Sequence, residues 1–216
     1  VDTIGLRSGV STTSAGGYHS CALTLDGGAT CWGYNGFGGL GNGTYTPRSQ
    51  PGWGNTLTFG VGQVASGLYH TCALGSWGGV MCWGNNANGQ LGNGTTGYSP
   101  TGQYVSGLSS GVISIATGQF HTCAVTVAGG VKCWGSNVNG KLGDGTTTQR
   151  LTPVDVVGLS GVVSISAGAQ HTCAATSAGA VKCWGCNTSG QLGDGTTTAR
   201  STPVQGSGLE SGAKNV

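Results

Sequence analysis

Apolar and polar residues alternate along this chain in short runs, and the runs return at a fixed interval. From Thr122 to Val127, Cys123, Val125 and Val127 fall on one side and Thr122, Ala124 and Thr126 on the other, the two-residue period of a β-strand. A second short run ends in Cys133 and Trp134. The whole stretch from His121, HTCAVTVAGGVKCWG, recurs as HSCALTLDGGATCWG from His19, HTCALGSWGGVMCWG from His70 and HTCAATSAGAVKCWG from His171. The four histidines lie 51, 51 and 50 residues apart, an interval that marks an array of similar supersecondary units.

Each copy predicts a β-hairpin. If its two cysteines face each other, the turn centres on Ala128 and leaves the three-residue loop Val127-Ala128-Gly129. The third loop position is glycine in every copy (Gly27, Gly78, Gly129, Gly179), where a three-residue hairpin needs a left-handed residue. Facing residues of antiparallel strands have Cα atoms about 4.5–5.5 Å apart, inside the roughly 4.4–6.8 Å that a disulfide tolerates. The expected bridges are Cys21–Cys31, Cys72–Cys82, Cys123–Cys133 and Cys173–Cys183. Zinc competes with this reading: His121, Cys123 and Cys133 share a face, although no fourth ligand recurs at the same phase. The ninth cysteine, Cys186, stands where the other copies have Tyr34, Asn85 and Ser136, so it is expected to be a free thiol or a link to another chain.

The motifs HTCAVT, GGVKCWGSNVNGKLGDGTTT and TPVDVVGL closely resemble the regulator of chromosome condensation (RCC1) repeat, in the cysteine-bearing form of predicted secreted bacterial proteins. The resemblance spans almost the whole chain. It implies a β-propeller with one blade per repeat, in a family that usually closes a ring of seven. It implies little about activity, because one fold hosts many functions.

Composition narrows the class further. Glycine supplies 46 of 216 residues, against a usual share of ~7%, which suits an all-β fold full of tight turns. Charged residues make up 6%, the net charge is +2, and the eight basic residues are scattered. Nucleic-acid binding needs clustered Lys and Arg to neutralise phosphates and is disfavoured. No apolar run reaches the 18 or so residues of a membrane helix, and no signal peptide is visible at the start. Regular cysteine pairs imply an oxidising compartment, so a secreted or cell-surface protein, trimmed or mature, is expected.

The chain reads as one domain, 1–216, an all-β propeller-like array of four blades of about four antiparallel strands. Repeats are placed at approximately 1–50, 51–103, 104–153 and 154–203, with a partial strand at 204–216. Each repeat offers a strand before Gly-x-x-His, the two hairpin strands and a short Pro-Val-x-Val strand. Residues 48–65, where Trp53 and Phe59 replace the usual pattern, are the most divergent connection. The ends align, VDTIGLRSGV at 1–10 with VQGSGLESGA at 204–213. One strand segment is then in excess of four units, and 204–216 is expected to pair outside a closed ring, with a second copy or with further repeats of a longer chain.

The repeated side chains carry little chemistry. His19, His70, His121 and His171 fit buried imidazoles bonded to the neighbouring blade's backbone better than a metal or anion ring. Trp32, Trp83, Trp134 and Trp184 fit packing between blades better than a sugar-stacking surface. The Gly-Asn-Gly-Thr and Gly-Asp-Gly-Thr loops fit Asx turns rather than calcium sites. Asn42, Asn93 and Asn187 match the N-glycosylation pattern. No catalytic pair or triad recurs, and no cofactor is implied. The first functional reading is a non-enzymatic extracellular structural or assembly module, able to form head-to-tail filaments. The alternative is a secreted protein-binding or inhibitor-like propeller using one loop face, with Tyr34, Phe37, Tyr45, Trp53 and Trp77 as anchors. A nucleotide-exchange or chromatin factor is disfavoured by the cysteines.

Overall fold

A computed structural model describes residues 9–53, 57 and 60–216; residues 1–8 and Phe59 lie outside that set. The chain forms four antiparallel sheets of four strands each, in strict chain order. Blade 1 contains β1 (Val10–Ala15), β2 (His19–Thr24), β3 (Ala29–Gly33) and β4 (Arg48–Trp53). Blade 2 contains β5 (Val61–Ser66), β6 (His70–Gly75), β7 (Val80–Gly84) and β8 (Ser99–Tyr104). Blade 3 contains β9 (Val112–Thr117), β10 (His121–Thr126), β11 (Val131–Gly135) and β12 (Arg150–Asp155). Blade 4 contains β13 (Val162–Ala167), β14 (His171–Thr176), β15 (Val181–Gly185) and β16 (Arg200–Gln205).

The hairpin geometry follows the sequence. Cys123 faces Cys133 and Val125 faces Val131, and Gly129 closes the turn at φ 74°. All four cysteine pairs are bonded, with Cα atoms 4.1 Å apart. Pro51, Pro100, Pro153 and Pro203 all sit in the fourth, edge strand of a blade. There a missing N–H costs no ladder bond and discourages pairing with a stray strand.

The strand order within each repeat is the expected one, and the boundaries shift by a few residues. Each sheet begins at the strand before Gly-x-x-His and ends with the Pro-containing strand, so the blades run 10–53, 61–104, 112–155 and 162–205. Residues 204 and 205 are therefore not a surplus strand. They complete blade 4, pairing with Cys183 and Lys182. Residues 48–53 form an ordinary fourth strand despite their divergent sequence.

Blades pack in chain order, and the apolar cores lie between them. Blades 1 and 2 share Leu23, Leu40, Val64 and Trp83; blades 2 and 3 share Leu74, Leu91, Ile115 and Trp134; blades 3 and 4 share Val131, Leu142, Ile165 and Trp184. The first strands β1, β5, β9 and β13 line one hollow, which places them innermost. Among the described residues, blades 1 and 4 do not pack face to face.

A buried asparagine organises the long loop of every blade. In blade 3, Asn137 Nδ2 donates to the carbonyls of Thr146 and Thr148 and to Asp144 Oδ1, while its Oδ1 accepts from Leu142 N–H. Asn35, Asn86 and Asn187 do the same in their blades. Nothing in the apolar pattern announces these residues; their only signal is a fixed place, two after each Cys-Trp-Gly tryptophan's glycine.

Candidate binding surface

The repeated histidines and tryptophans are seam residues. His19 Nε2 lies 2.7 Å from Thr71 Oγ1, His70 3.0 Å from Thr122, and His121 2.9 Å from Thr172. Each of these three histidines thus bonds a side-chain hydroxyl of the next blade, not the backbone that the sequence suggested. Each threonine hydroxyl in turn donates to a carbonyl of the preceding blade: Gly39, Gln90 or Lys141. Because the hydroxyl proton is spent there, the imidazole must donate through Nε2–H, which assigns the neutral tautomer. Trp83 Nε1–H and Trp134 Nε1–H donate to the same carbonyls of Gly39 and Gln90, each at 2.9 Å.

The other ring nitrogen, Nδ1, has no partner in His70 and His121. Protonating it would create a buried, unbonded N–H, so burial holds these histidines well below their ordinary range. His19 is pushed down to about 4 by burial. His70 falls to about 3 by burial and the nearby His19. His121 is lowered by burial, then by Lys141, His70 and His171. These three rings are too buried to serve a substrate or a metal; among the described residues no group of three or more His, Cys, Asp or Glu is gathered for a metal.

The Asx loops are turns. Asn42, Asn93, Asp144 and Asp194 each accept through Oδ1 from the N–H and hydroxyl of the threonine two residues on. Asp144 and Asp194 add ion pairs to Arg150 at 2.8 Å and Arg200 at 2.9 Å. This geometry also bears on the sugar acceptors. Asn187 is a buried hub with its amide nitrogen fully engaged, so a glycan there and this fold exclude each other. The amide nitrogen of Asn42 is buried too; Asn93, half-buried in its loop, is the acceptor that we retain as a proposal.

Cys186 is buried, with its sulfur 3.5 Å from Thr188 Oγ1. The thiol is not presented to a second chain, so the intermolecular-link reading gives way to a free internal thiol. Hydrogen bonds from Thr188, opposed by burial, lower its pKa. Denatured, unreduced protein is expected to release one thiol to a colorimetric reagent and the native protein much less. A release of more than one on denaturation would mean that a bridge is missing.

Where the repeat is broken, aromatic side chains gather. Tyr18 precedes β2, Tyr34 follows β3, Phe37 sits in the turn after it, Tyr69 precedes β6 and Tyr98 precedes β8. Tyr18 and Tyr69 stack with ring centroids 4.9 Å apart and planes within 8°. Phe37 packs edge-on to Tyr69 at 5.0 Å and to Tyr98 at 5.1 Å, and Tyr34 bridges Tyr18, Phe37 and Tyr69 at 5.6–6.3 Å. The blade 1–blade 2 seam brings them together, since Tyr18 and Tyr69 hold equivalent places in adjacent blades. Gly36 leaves room for the Tyr34 phenol, which a Cβ there would strike. Tyr18, Tyr34 and Tyr98 are exposed at 57%, 42% and 47%, so five uncharged rings form one accessible patch. Desolvation, then the Tyr18 hydrogen bond, holds the Tyr69 phenol above its usual range.

In blades 3 and 4 the same places hold Phe120 and Gln170, Ser136 and Cys186, Asn139 and Ser189, and Gln149 and Ala199. Of the anchors expected from sequence, Tyr34 and Phe37 belong to the patch. Tyr45 and Trp77 are exposed elsewhere, and the Trp53 side chain lies outside the described residues.

Comparison with known proteins agrees with this architecture. One model of the regulator of chromosome condensation (RCC1) repeat matches residues 10–38, 61–90, 112–141 and 162–191. A second matches 78–125, 128–175 and 178–216. The chain is 36% identical over 148 residues to "Probable E3 ubiquitin-protein ligase HERC4" of Homo sapiens, covering 67% of this chain and 14% of that protein. It is 34% identical over 153 residues to "RCC1 domain-containing protein RUG3, mitochondrial" of Arabidopsis thaliana, covering 67% and 34%. Among solved structures, human WBSCR16 superposes with a TM-score of 0.82 at 26% identity, over 94% of this chain and 54% of that one. Yeast RCC1 (Prp20), solved bound to Kap60, superposes at 0.80 and 22% identity, over 95% and 50%. The chain therefore spans about half or less of each of these four proteins.

Proposed function

The chain belongs to the regulator of chromosome condensation (RCC1) repeat family, and from that premise we propose a non-enzymatic, secreted or cell-surface propeller that binds another protein through the aromatic face of blades 1 and 2. The carrying observation is the five-ring cluster at positions where later repeats have mostly small or polar residues. Aromatic residues are enriched at protein interfaces and tyrosine among their hot spots, and rings already packed on one another lose little freedom on binding. The patch carries no charged side chain, so it suits an uncharged loop or extended segment of the partner.

The four disulfides favour an oxidising compartment, and no helix of the described residues is long and apolar enough to cross a membrane. The ligase activity named for HERC4 is not carried over, because the chain spans 14% of that protein. An assembly role draws on a different surface, the two ends of the array.

The test restores the repeat rather than breaking it. Tyr34→Ser and Phe37→Asn copy blade 3 and should leave the fold intact. Binders selected from a displayed peptide library on the disulfide-bonded chain are expected to lose at least about 30-fold in affinity for the double variant, the scale of a hot spot. Binders indifferent to both substitutions would place the binding surface elsewhere.

A further inference from the structure

The histidine–hydroxyl–carbonyl chain recurs in all three seams and the indole bond in the first two, the Trp184 N–H being unpartnered. Among the described residues, the outer sides of blades 1 and 4 each carry an unused half of the scheme. In each seam the leading blade supplies a histidine and a main-chain carbonyl, and the following blade supplies a hydroxyl and an indole. Blade 4 has the leading half, His171 and the carbonyl of Gln191. Blade 1 has the following half: Ser20 stands where Thr71, Thr122 and Thr172 stand, and Trp32 where Trp83, Trp134 and Trp184 stand.

Exposure agrees with that assignment. Trp83, Trp134 and Trp184 are at most 2% exposed, whereas Trp32 is only half-buried. His70 and His121 are fully buried, whereas His171 is half-buried. The apolar cores show the same asymmetry. In the third seam Val131, Cys133 and Leu142 lie under Trp184 of the next blade. Their equivalents in blade 4, Val181, Cys183 and Leu192, form a small cluster with no indole over it.

We propose that the outer side of blade 4 binds the outer side of blade 1 of a second copy of this chain, head to tail, forming a fourth seam like the three inside it. His171 donates to the Ser20 hydroxyl, and Trp32 covers Val181 and Leu192 with its N–H toward the Gln191 carbonyl. A heterologous contact of this kind adds copies until the rotation closes a ring, and otherwise grows a filament.

Residues 213–216 tune the contact. Ala213 N–H donates to the Gly179 carbonyl at 3.0 Å, as Val162 does to Gly129 at 2.9 Å and Val112 to Gly78 at 3.0 Å. Val216 N–H reaches Ser164 Oγ at 3.3 Å, as Ile115 N–H reaches Gln63 Oε1 at 2.9 Å between blades 2 and 3. Residues 213–216 thus lie where the first strand of a following blade begins, and the β1 strand of an incoming copy must displace them.

Sedimentation velocity over a concentration series tests this. The wild-type chain should gain mass with concentration, and removal of 213–216 should strengthen that association. Trp32→Ala and His171→Ala each disable one end and should each weaken self-association at least about 30-fold. Both side chains are half-buried, so the variants should fold, which their four bridges and melting curves verify. An equimolar mixture of the two variants should stop at dimers, because one intact end of each remains. Three results overturn the proposal: wild-type and truncated chains that both stay monomeric, association that survives Trp32→Ala, or a mixture that forms no dimer while the wild type associates.

Discussion

Reducing the native chain with dithiothreitol is expected to unfold it at physiological temperature. Each bridge closes a loop with a sequence separation of 10, and closing so short a loop removes about 2–3 kcal/mol of chain entropy from the unfolded state. Four of them sum to about 8–12 kcal/mol, on the scale of the entire net stability of a domain, about 5–15 kcal/mol. Little else here can replace that. Glycine is more than a fifth of the chain, 46 of 216 residues, and loses the most backbone freedom on folding. The single pair exchange Cys123→Ala with Cys133→Ala should lower the melting temperature by about 5–10 °C for a chain of this size. Cys173 is half-buried at the open side of blade 4, whereas Cys21, Cys72 and Cys123 are fully buried, so Cys173–Cys183 should be reduced first. Calorimetry with and without reductant checks the effect. A reduced chain that melts within a few degrees of the oxidised one would show that the bridges contribute little.

The hairpins were legible because two independent local codes agree on them. The alternation around Cys123 sets which residues face, and the glycine at 129 sets where the chain turns. The blade order followed from the interval between histidines. What stayed hidden is whatever lies between repeats. Thr71, Thr122 and Thr172 sit directly after their histidines as ordinary polar positions of a strand alternation, yet they are the acceptors of the histidine one blade earlier. The asparagine hubs were missed because polar residues in a loop look solvated until the loop is seen folded over them. The aromatic patch was half visible. Tyr34 and Phe37 break the repeat in one loop, but Tyr18, Tyr69 and Tyr98 join them only because equivalent positions of adjacent blades are neighbours in space. The order of strands in each unit was legible, but its boundaries cut one to three residues off the last strand, which a long loop separates from the hairpin it pairs with. VQGSGL at 204–209 therefore looked like a beginning, although its first two residues finish blade 4.

Mild acid should unfold the chain well before its carboxylates titrate. Histidine in an unfolded chain takes a proton near pH 6.5. In the folded chain His19 does so only near 4 and His70 near 3, and His121 is lowered as well. The stability that these neutral rings contribute is complete above about pH 6.5 and falls as pH drops below it, because the unfolded state then binds more protons than the folded one. Each ring accounts for about 1.4 kcal/mol per pH unit in that window, so three together give about 4 kcal/mol per unit between pH 6 and 4. One or two units exhaust an ordinary margin of stability. The aspartates Asp144 and Asp194 have lowered pKa values, and their contribution is lost only below the usual carboxylate range. Urea titrations at a series of pH values should therefore show stability falling with a slope of about three protons per molecule between pH 5.5 and 4.5. His70→Gln should be destabilised at neutral pH, where its bond to Thr122 is lost, yet its slope should drop by about one proton. His171→Gln should reduce the slope less than His70→Gln does, since burial lowers the His171 pKa too but that ring is only half-buried. A wild-type slope below one proton in this range would mean that the rings are protonated inside the seams, and the tautomer chain from imidazole to threonine to carbonyl would be wrong.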